Sequence, residues 1–368
     1  MVKSIVIIPA LNPDTRLCSL VNQLKTLGMN DIVIVDDGSS KRIHEGIDIF
    51  FELEELGCIV YRHETNLGKG AAIKIGIKGA IEMFGDNIGV ITCDADGQHL
   101  PIDIKRVANT LYDNPSSLVL GTRDFNKSYV PKKSKYGNKI TSAFFYLTKK
   151  KKCPDTQTGL RGIPSCLLTL ALEEQGKRYE YEMNFLSDAA DMVDMIYVPI
   201  ETVYEDGNKT SHFRPVRDSL LVYSRPLRFA SSSLLSTVFE YVLFILLTLI
   251  FGSGAFLAQS GSRIASGIVN FLLNKYWSFG SKRSGSKELI RYSILFGAQL
   301  LVSATLITAL SYVVSAIVAK VIVDTALFFV SYQIQRRWVF KKGDVVHERK
   351  IKEEKEDAES KIYLGSHI

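Results

Sequence analysis

The sequence predicts an α/β domain with a mostly parallel, doubly wound sheet, followed by a four-helix transmembrane domain. Three observations carry this. Short β-branched runs alternate with helical apolar periodicity through the first 212 residues, as they do when helices cover both faces of a sheet. From about Ser231 to Phe340 charge nearly vanishes within long apolar runs, and a membrane span needs about 20 such residues. Several predicted strands end in polar or acidic residues, and in doubly wound sheets ligands bind beyond the carboxyl ends of the strands.

Ser4–Ile8 is a short β-branched run, hence a buried strand, closed by Pro9-Ala10-Leu11-Asn12-Pro13. Leu17, Leu20, Val21, Leu24 and Leu27 recur at helical spacing until Gly28 ends the helix. Asp31–Val35 is a second strand running into Asp36-Asp37-Gly38-Ser39-Ser40. A further helix–strand step runs through Ile43–Leu56 to Cys58–Tyr61. Asn66-Leu67-Gly68-Lys69-Gly70 then opens a helix with Ile73, Ile77, Ala80, Ile81 and Phe84 on one face. Backbone N–H groups and Lys69 at that helix start could meet a phosphate. The full P-loop pattern is absent, and a plain turn is the ordinary alternative.

The fourth strand, ending at Thr92, leads into Cys93-Asp94-Ala95-Asp96-Gly97-Gln98-His99 ahead of Pro101. Residues i and i+2 of an extended segment point to the same side, so Asp94 and Asp96 can aim at one point. Two carboxylates with an amide oxygen two residues on suit Mg²⁺ or Mn²⁺ better than a soft metal. The alternative is an Asp/Gly turn leading into a helix at Pro101.

Leu118–Leu120 is a strand ending in Gly121-Thr122-Arg123, and the basic, polar residues Asn126 to Lys139 suggest a mobile loop. Asp155-Thr156-Gln157-Thr158-Gly159-Leu160-Arg161-Gly162 precedes a helix from Pro164 to about Glu173. Another helix begins at Tyr179, and Met195–Pro199 and Glu201–Tyr204 look like closing strands. The polar stretch Glu205 to Arg217 adds Lys209, His212, Arg214 and Arg217. Arginines that follow strand ends beside an acidic site are candidates for holding phosphate.

Four spans are expected: Leu234–Phe251, about Ala255 to Trp277, Tyr292 to Val314 and Ala316 to Trp338. Basic residues cluster at Arg225 and Arg228, at Lys275, Lys282, Arg283 and Lys287, and at Arg336, Arg337, Lys341 and Lys342, all on one face. The Gly252-Ser253-Gly254 turn on the other face is uncharged. The positive-inside rule makes the charged face cytoplasmic and places the first domain and both termini in the cytosol. An internal repeat aligns Ala258-Gln259…Arg263…Trp277-Ser278-Phe279 with Ala319-Lys320…Asp324…Trp338-Val339-Phe340 at a constant offset of 61. That is a parallel two-plus-two plan. Arg263, Asp324 and Glu240 are ionisable at membrane depth, where a functional role and a structural ion pair both fit.

The chain has 45 Lys and Arg against 39 Asp and Glu, a net charge of +6, without a basic stripe interleaved with aromatics. Nucleic-acid binding is not expected; basic clusters beside membrane segments fit an anionic lipid surface. The five cysteines form no C-x-x-C pair, which argues against a zinc site or disulfide framework and fits a reducing compartment. The apolar run Ile5–Ile8 is too short for a signal peptide, so no cleaved signal is expected.

Pro9-Ala10-Leu11-Asn12, Val35-Asp36-Asp37-Gly38-Ser39, Asn66-Leu67-Gly68-Lys69-Gly70, Asp94-Ala95-Asp96-Gly97-Gln98-His99, Gly121-Thr122-Arg123 and Thr158-Gly159-Leu160-Arg161 together resemble the family-2 glycosyltransferases. Within these they are similar to the dolichyl-phosphate mannose synthase and polyprenyl-phosphate glycosyltransferase branch. The C-terminal repeat, with Asn270-Phe271-Leu272-Leu273-Asn274-Lys275-Tyr276-Trp277, resembles the GtrA-like membrane domain. The resemblance implies a GT-A fold, a nucleotide-sugar donor, with UDP-hexose favoured, and a polyprenyl phosphate acceptor of undecaprenyl or dolichyl type. It implies metal-dependent single displacement with inversion, needing no general base because the acceptor is already anionic. Pro9, Ala10, Asn12, Asp37, Lys69 and Asp94 would serve the nucleotide. Asp94, Asp96 and Gln98 would bind Mg²⁺ or Mn²⁺. Asp96, Arg123 and Arg161 would carry the catalytic chemistry, the arginines at donor or acceptor phosphate. The family's usual acidic residue after Asn12 is Pro13 here, with Asp14 next.

The domains expected are a GT-A domain at 1–212, a juxtamembrane amphipathic segment at 213–231, a GtrA-like domain at 232–340 and a charged cytosolic tail at 341–368. Self-association between copies is compatible with this plan. The rival enzyme is a processive polysaccharide synthase. Its Q-x-x-R-W motif fails here, because the residue four before Trp338 is Ile334. The membrane half is open to two readings, as an anchor and dimer contact or as a flippase for the lipid-linked sugar.

Overall fold

A computed structural model describes residues 3–41, 43–44, 46–127, 130–201, 224–249, 255–281 and 285–340. The expected strand residues 202–204, the polar residues Lys209, His212, Arg214 and Arg217, most of the juxtamembrane segment, the Gly252-Ser253-Gly254 turn, Lys282 and Arg283, and the tail from Lys341 lie outside these. The chain divides into two compact units, at Met1–Val222 and Tyr223–Ile368.

In the first unit, alternating side chains of the central strands feed two cores. Strands β1 (Lys3–Ala10) and β2 (Ile32–Asp36) turn Ile5, Ile7, Val33 and Val35 to one face and Val6, Ile8, Ile32 and Ile34 to the other. A strand buried on both faces must be apolar throughout, and that is why these runs show no alternation. One face is covered by α1 (Thr15–Thr26), α2 (Ile49–Glu55) and α4 (Pro101–Asp113). The other is covered by α3 (Lys69–Phe84), α5 (Lys132–Lys149), α6 (Leu168–Glu173) and α7 (Tyr179–Ala189).

The remaining strands are β3 (Ile43–His44), β4 (Ile47–Asp48), β5 (Ile59–Arg62), β6 (Ile88–Thr92), β7 (Leu118–Arg123), β8 (Arg161–Ile163) and β9 (Met195–Ile200). The seven-stranded sheet runs β5-β2-β1-β6-β8-β7-β9. It is parallel except for β8, which is antiparallel to both β6 and β7. The mostly parallel sheet expected from the sequence is present.

Two local expectations are corrected, and one strand goes beyond the sequence reading. Strand β8, to which the sequence reading assigns no element, has three residues and begins with a charged side chain that is only 2 % exposed. Ile43–His44 and Ile47–Asp48 pair as short antiparallel strands ahead of α2 rather than forming the start of a helix. The basic stretch taken for a mobile loop is helical from Lys132. Its buried positions Asn138, Thr141, Phe145 and Thr148 have helical spacing but are mostly polar, so apolar periodicity could not reveal them.

The second unit contains α8 (Ser224–Leu249), α9 (Ala255–Leu273), α10 (Gly285–Leu310) and α11 (Ala316–Ile334). Among the described residues three helices are long and apolar enough to cross a membrane, at Arg225–Leu249, Gly285–Leu310 and Ile317–Val339. The second expected span, α9, is not among them; its 19 residues include Gln259, Arg263 and Asn270.

The internal repeat is visible in this unit. Helices α9 and α11 both end in a π-helical turn, at Asn274–Ser278 and Gln335–Val339, which start 61 residues apart. Equivalent residues meet: Asn274 Nδ2 donates to Gln335 Oε1 at 3.0 Å, and the rings of Phe279 and Phe340 stack at 5.0 Å. The ionisable residues do not pair across the repeat. Arg263 binds Glu240 at 2.9 Å, whereas Asp324 binds Lys320 at 2.8 Å and accepts from Ser303.

Candidate active site

The parallel register brings the predicted site residues to one edge of the sheet. Pro9 and Ala10 do not terminate β1; they pair with Val35 and Asp36. The Asp37 N–H donates to the Ala10 carbonyl at 2.8 Å, and Cys93 N–H reaches the Ile7 carbonyl at 3.2 Å. The ends of β2, β1 and β6 therefore lie side by side, as the doubly wound plan requires.

The loops after β1 and β2 are sewn together. Asn12, in the left-handed region at φ 50°, gives its N–H to Ser39 Oγ at 2.8 Å and accepts from Lys41 N at 2.9 Å through its side chain. Ser39 N–H in turn donates to Asp36 Oδ1. Asp14 caps α1 and forms an ion pair with Arg16 at 2.7 Å. That guanidinium hydrogen bond holds the Asp14 carboxyl below the ordinary range.

Asp37 organises the next loop from below. It is 4 % exposed. Its Oδ1 lies 2.8 Å from His63 Nδ1 and accepts from Leu67 N–H, and its Oδ2 accepts from Gly68 N–H at 2.8 Å. Two amides at the start of α3 are thus spent on a carboxylate of the protein. Gly68 is the hinge of this arrangement: at φ +103° its backbone favours glycine, and a Cβ there would lie 2.5 Å from the Lys177 carbonyl oxygen.

Anchored in this way, α3 delivers Lys69 to the end of β6. Its ammonium lies 2.5 Å from Asp94 Oδ1 and 3.0 Å from Glu182 Oε1, the latter on α7. Asp94 Oδ2 faces His99 Nε2 at 3.4 Å. Burial alone would raise the Asp94 pKa, but Lys69 and then His99 outweigh it and hold the carboxyl far below its usual range. Burial also works against the charged form of Lys69, and Asp94 and Glu182 reverse that and raise it.

Asp96 differs from its neighbour. Burial, and then the negative charge of Asp94, raise its pKa. Its Oδ1 accepts from Gln98 N–H at 3.0 Å. Two hard carboxylates that repel each other, one of them disfavoured as an anion, form a donor set that a divalent cation relieves. The pair therefore fits Mg²⁺ or Mn²⁺, with Gln98 half-buried beside it. Among the described residues no group of three or more His, Cys, Asp or Glu side chains gathers as a metal site, so a cation here would depend on these two carboxylates and an amide.

Gly159 makes the close packing around Asp94 possible. A Cβ at this position would lie 2.2 Å from Asp94 Oδ2. The Gly159 carbonyl accepts from Thr92 Oγ1 at 2.9 Å, fixing the loop against β6.

The two arginines are held differently. Arg123, at the end of β7, makes a two-pronged pair with Asp155 at 2.6 and 3.0 Å and lies over the Phe125 ring. Arg161 is an interior residue. Its guanidinium donates to the Thr158 and Glu182 carbonyls at 3.0 and 2.7 Å, and Nη2 is buried without a hydrogen-bond partner among the described residues. Glu182 thus holds Lys69 through its carboxylate and Arg161 through its backbone.

Sequence reasoning missed Glu182, Asp155, His63 and the steric role of Gly159. Asp155 and Gly159 belong to the quoted Asp155–Gly162 stretch, but only the fold reveals what they touch. Glu182 opens an ordinary helix, and nothing local marks it as a partner of Lys69.

Comparison with known proteins agrees with both units. Residues 5–167 match the model of glycosyl transferase family 2, and residues 228–340 match that of the GtrA/DPMS transmembrane domain. A UDP-N-acetylglucosamine–dolichyl-phosphate N-acetylglucosaminyltransferase of Methanococcus voltae is 33 % identical over 219 residues, covering 54 % of this chain and 85 % of that protein. An uncharacterised protein of Methanocaldococcus jannaschii is 31 % identical over 206 residues, covering 55 % of this chain and 82 % of its own. Among solved structures, mannosyl-3-phosphoglycerate synthase from Rubrobacter xylanophilus superposes with a TM-score of 0.45 and 15 % identity, over 62 % of this chain and 75 % of that one.

Proposed function

Because the chain belongs to the family 2 glycosyltransferases and carries a GtrA/DPMS transmembrane domain, we propose that it transfers a sugar from a nucleotide sugar to a polyprenyl phosphate at the cytosolic face of a membrane. The observation that supports this best is the cluster of Asp94, Asp96, Lys69 and Glu182 at the carboxyl end of β6, in a chain that also holds apolar helices long enough to span a bilayer.

In the proposed reaction an oxygen of the acceptor phosphate attacks the anomeric carbon. The bond from that carbon to the diphosphate oxygen breaks, and its electron pair leaves with the nucleoside diphosphate. Inversion follows from single displacement. The acceptor is anionic at neutral pH, so no side chain has to remove a proton. Asp94, Asp96 and the Gln98 amide would hold Mg²⁺ or Mn²⁺, which offsets charge on the departing diphosphate. Lys69 sets the charge of Asp94 before donor binds. Pro9, Ala10, Asn12 and Asp37 line the neighbouring strand ends, where the base and ribose would lie. Arg123, oriented by Asp155, faces the task of letting two anions approach, and Arg161 supports Glu182 and Lys69 from the interior.

UDP-sugars are the first donors to test, and UDP-N-acetylglucosamine leads because the M. voltae relative is named for it. Four spans, with the transferase unit on the cytosolic side, complete the proposal. The test is a screen of radiolabelled nucleotide sugars against polyprenyl phosphates with the purified full chain. Label moving into the organic phase is expected, and no transfer from any donor would overturn the reading. A coupled flippase role for the membrane unit is a second reading, favoured by the Glu240–Arg263 and Lys320–Asp324 pairs at membrane depth. Its test is the sidedness of product in proteoliposomes; no change from protein-free vesicles would exclude it.

A further inference from the structure

Helix α5 carries an apolar stripe that nothing in the described chain covers. Tyr136, Ile140 and Leu147 are 63 %, 62 % and 64 % exposed, and Tyr146 is 47 % exposed. At about 100° per residue, positions 136, 140, 143 and 147 fall on one narrow face, and Ala143 between them is exposed as well. Elsewhere in the unit large exposed apolar residues are scattered, such as Ile43 in β3, Phe51 on α2, and Ile102 and Tyr112 at opposite ends of α4. Scattered exposure of that kind is ordinary, whereas a contiguous stripe is not.

The opposite face of α5 already does the folding. Phe145 is buried in the core. Asn138 Nδ2 donates to the Pro154 carbonyl at 2.6 Å, and Thr156 Oγ1 donates to Thr141 Oγ1 at 2.8 Å. The outer stripe is therefore not required to hold the helix in place. Its flank is basic: Lys135 and Lys139 are exposed, and α5 contains no acidic residue. An apolar stripe edged with lysines is the pattern of a helix lying in the plane of an anionic membrane surface. The chain carries its own membrane domain, which tethers it to a bilayer.

We propose that α5 is an interfacial helix that lies in the lipid headgroup region, with Tyr136, Ile140 and Leu147 toward the acyl chains and Lys135 and Lys139 at lipid phosphates. Its 18 residues span about 27 Å at 1.5 Å each. The contact reaches the site. Residues 154–156, pinned to the inner face of α5, include Asp155, which holds Arg123. The proposal stands independently of the sugar-transfer reading, since it concerns lipid contact alone.

The test uses the full chain in liposomes of phosphatidylcholine and phosphatidylglycerol, in a Cys166→Ser background. A nitroxide label is placed at Ile140→Cys or Leu147→Cys, and at Lys78→Cys on α3 for comparison. Oxygen concentrates in the bilayer, whereas a nickel chelate stays in water. Labels at 140 and 147 should gain oxygen collisions and lose nickel collisions several-fold relative to 78. Replacing phosphatidylglycerol with phosphatidylcholine should weaken that difference. Water-like accessibility at both positions would overturn the proposal. So would protection from both agents, which would mean a protein cover, either a second copy or another part of the chain. A difference unaffected by lipid charge would remove the role given to the lysines.

Discussion

Asp94 is the residue on which the site turns, and Gly159 is the residue that allows it. Replacing Gly159 with Ala puts a Cβ 2.2 Å from the Asp94 carboxylate, so one of them has to move. Misplacement by about 1 Å near reacting groups costs on the order of 10²-fold in rate. Gly159→Ala should lose about that much kcat/KM with the protein still folded, and activity within a few-fold of the parent would contradict this packing argument. The cysteines give a second check at this scale. Cys18, Cys58, Cys93 and Cys153 are buried and Cys166 is exposed, all as free thiols. Burial pushes the Cys18 and Cys58 thiols up to about 11 and that of Cys153 to about 12, and the thiolate is the reactive form. Intact-mass measurement after brief maleimide treatment should find one label per folded chain, on Cys166. Two or more labels would mean that the cores are looser than described.

Elements explain why the site was only partly legible. The ends of β1, β2 and β6 could be read because strands buried on both faces are continuous apolar runs, and the polar residues that follow them stand out. Helix α5 escaped because it packs through Asn138, Thr141 and Thr148, and β8 escaped because three residues headed by an interior arginine carry no pattern. Asp155, in the segment between them, supports a prediction. It is 0 % exposed and is the two-pronged partner of Arg123. Asp155→Ala should destabilise the protein by about 3 kcal/mol, the lower end for breaking a buried pair, measured as a fall in unfolding midpoint in detergent. Unchanged stability would show that Arg123 finds another partner. In the membrane unit, the Asn274–Gln335 bond joins equivalent positions of the repeat. A double-mutant cycle on Asn274→Ala and Gln335→Ala should give a coupling of about 0.6 kcal/mol, typical of polar contacts between membrane helices. Additive effects would indicate that the contact contributes nothing.

At the scale of the whole molecule, the chain divides into two compact units, at Met1–Val222 and Tyr223–Ile368, and matches two family models, over residues 5–167 and 228–340. The internal repeat was legible because W-x-F ends both halves at one offset. Its structural content was not, since the facing of Asn274 on Gln335 depends on how the helices pack. Likewise the strand-end acids pointed to a cation and a diphosphate, while the Lys69–Glu182 contact beside Asp94 joins residues more than a hundred positions apart in the chain. The central claim joins the two halves in one reaction, the transfer of a sugar onto a membrane lipid phosphate. The direct measurement is transfer of radiolabel from UDP-N-acetylglucosamine to polyprenyl phosphate by the purified full chain in liposomes, with Mg²⁺ or Mn²⁺, with a chelator, and with Asp96→Ala. The account predicts label in the lipid fraction with the parent protein and cation, and its loss with chelator or Asp96→Ala. Undiminished transfer by Asp96→Ala, or label that never enters the lipid with any nucleotide sugar, would contradict it.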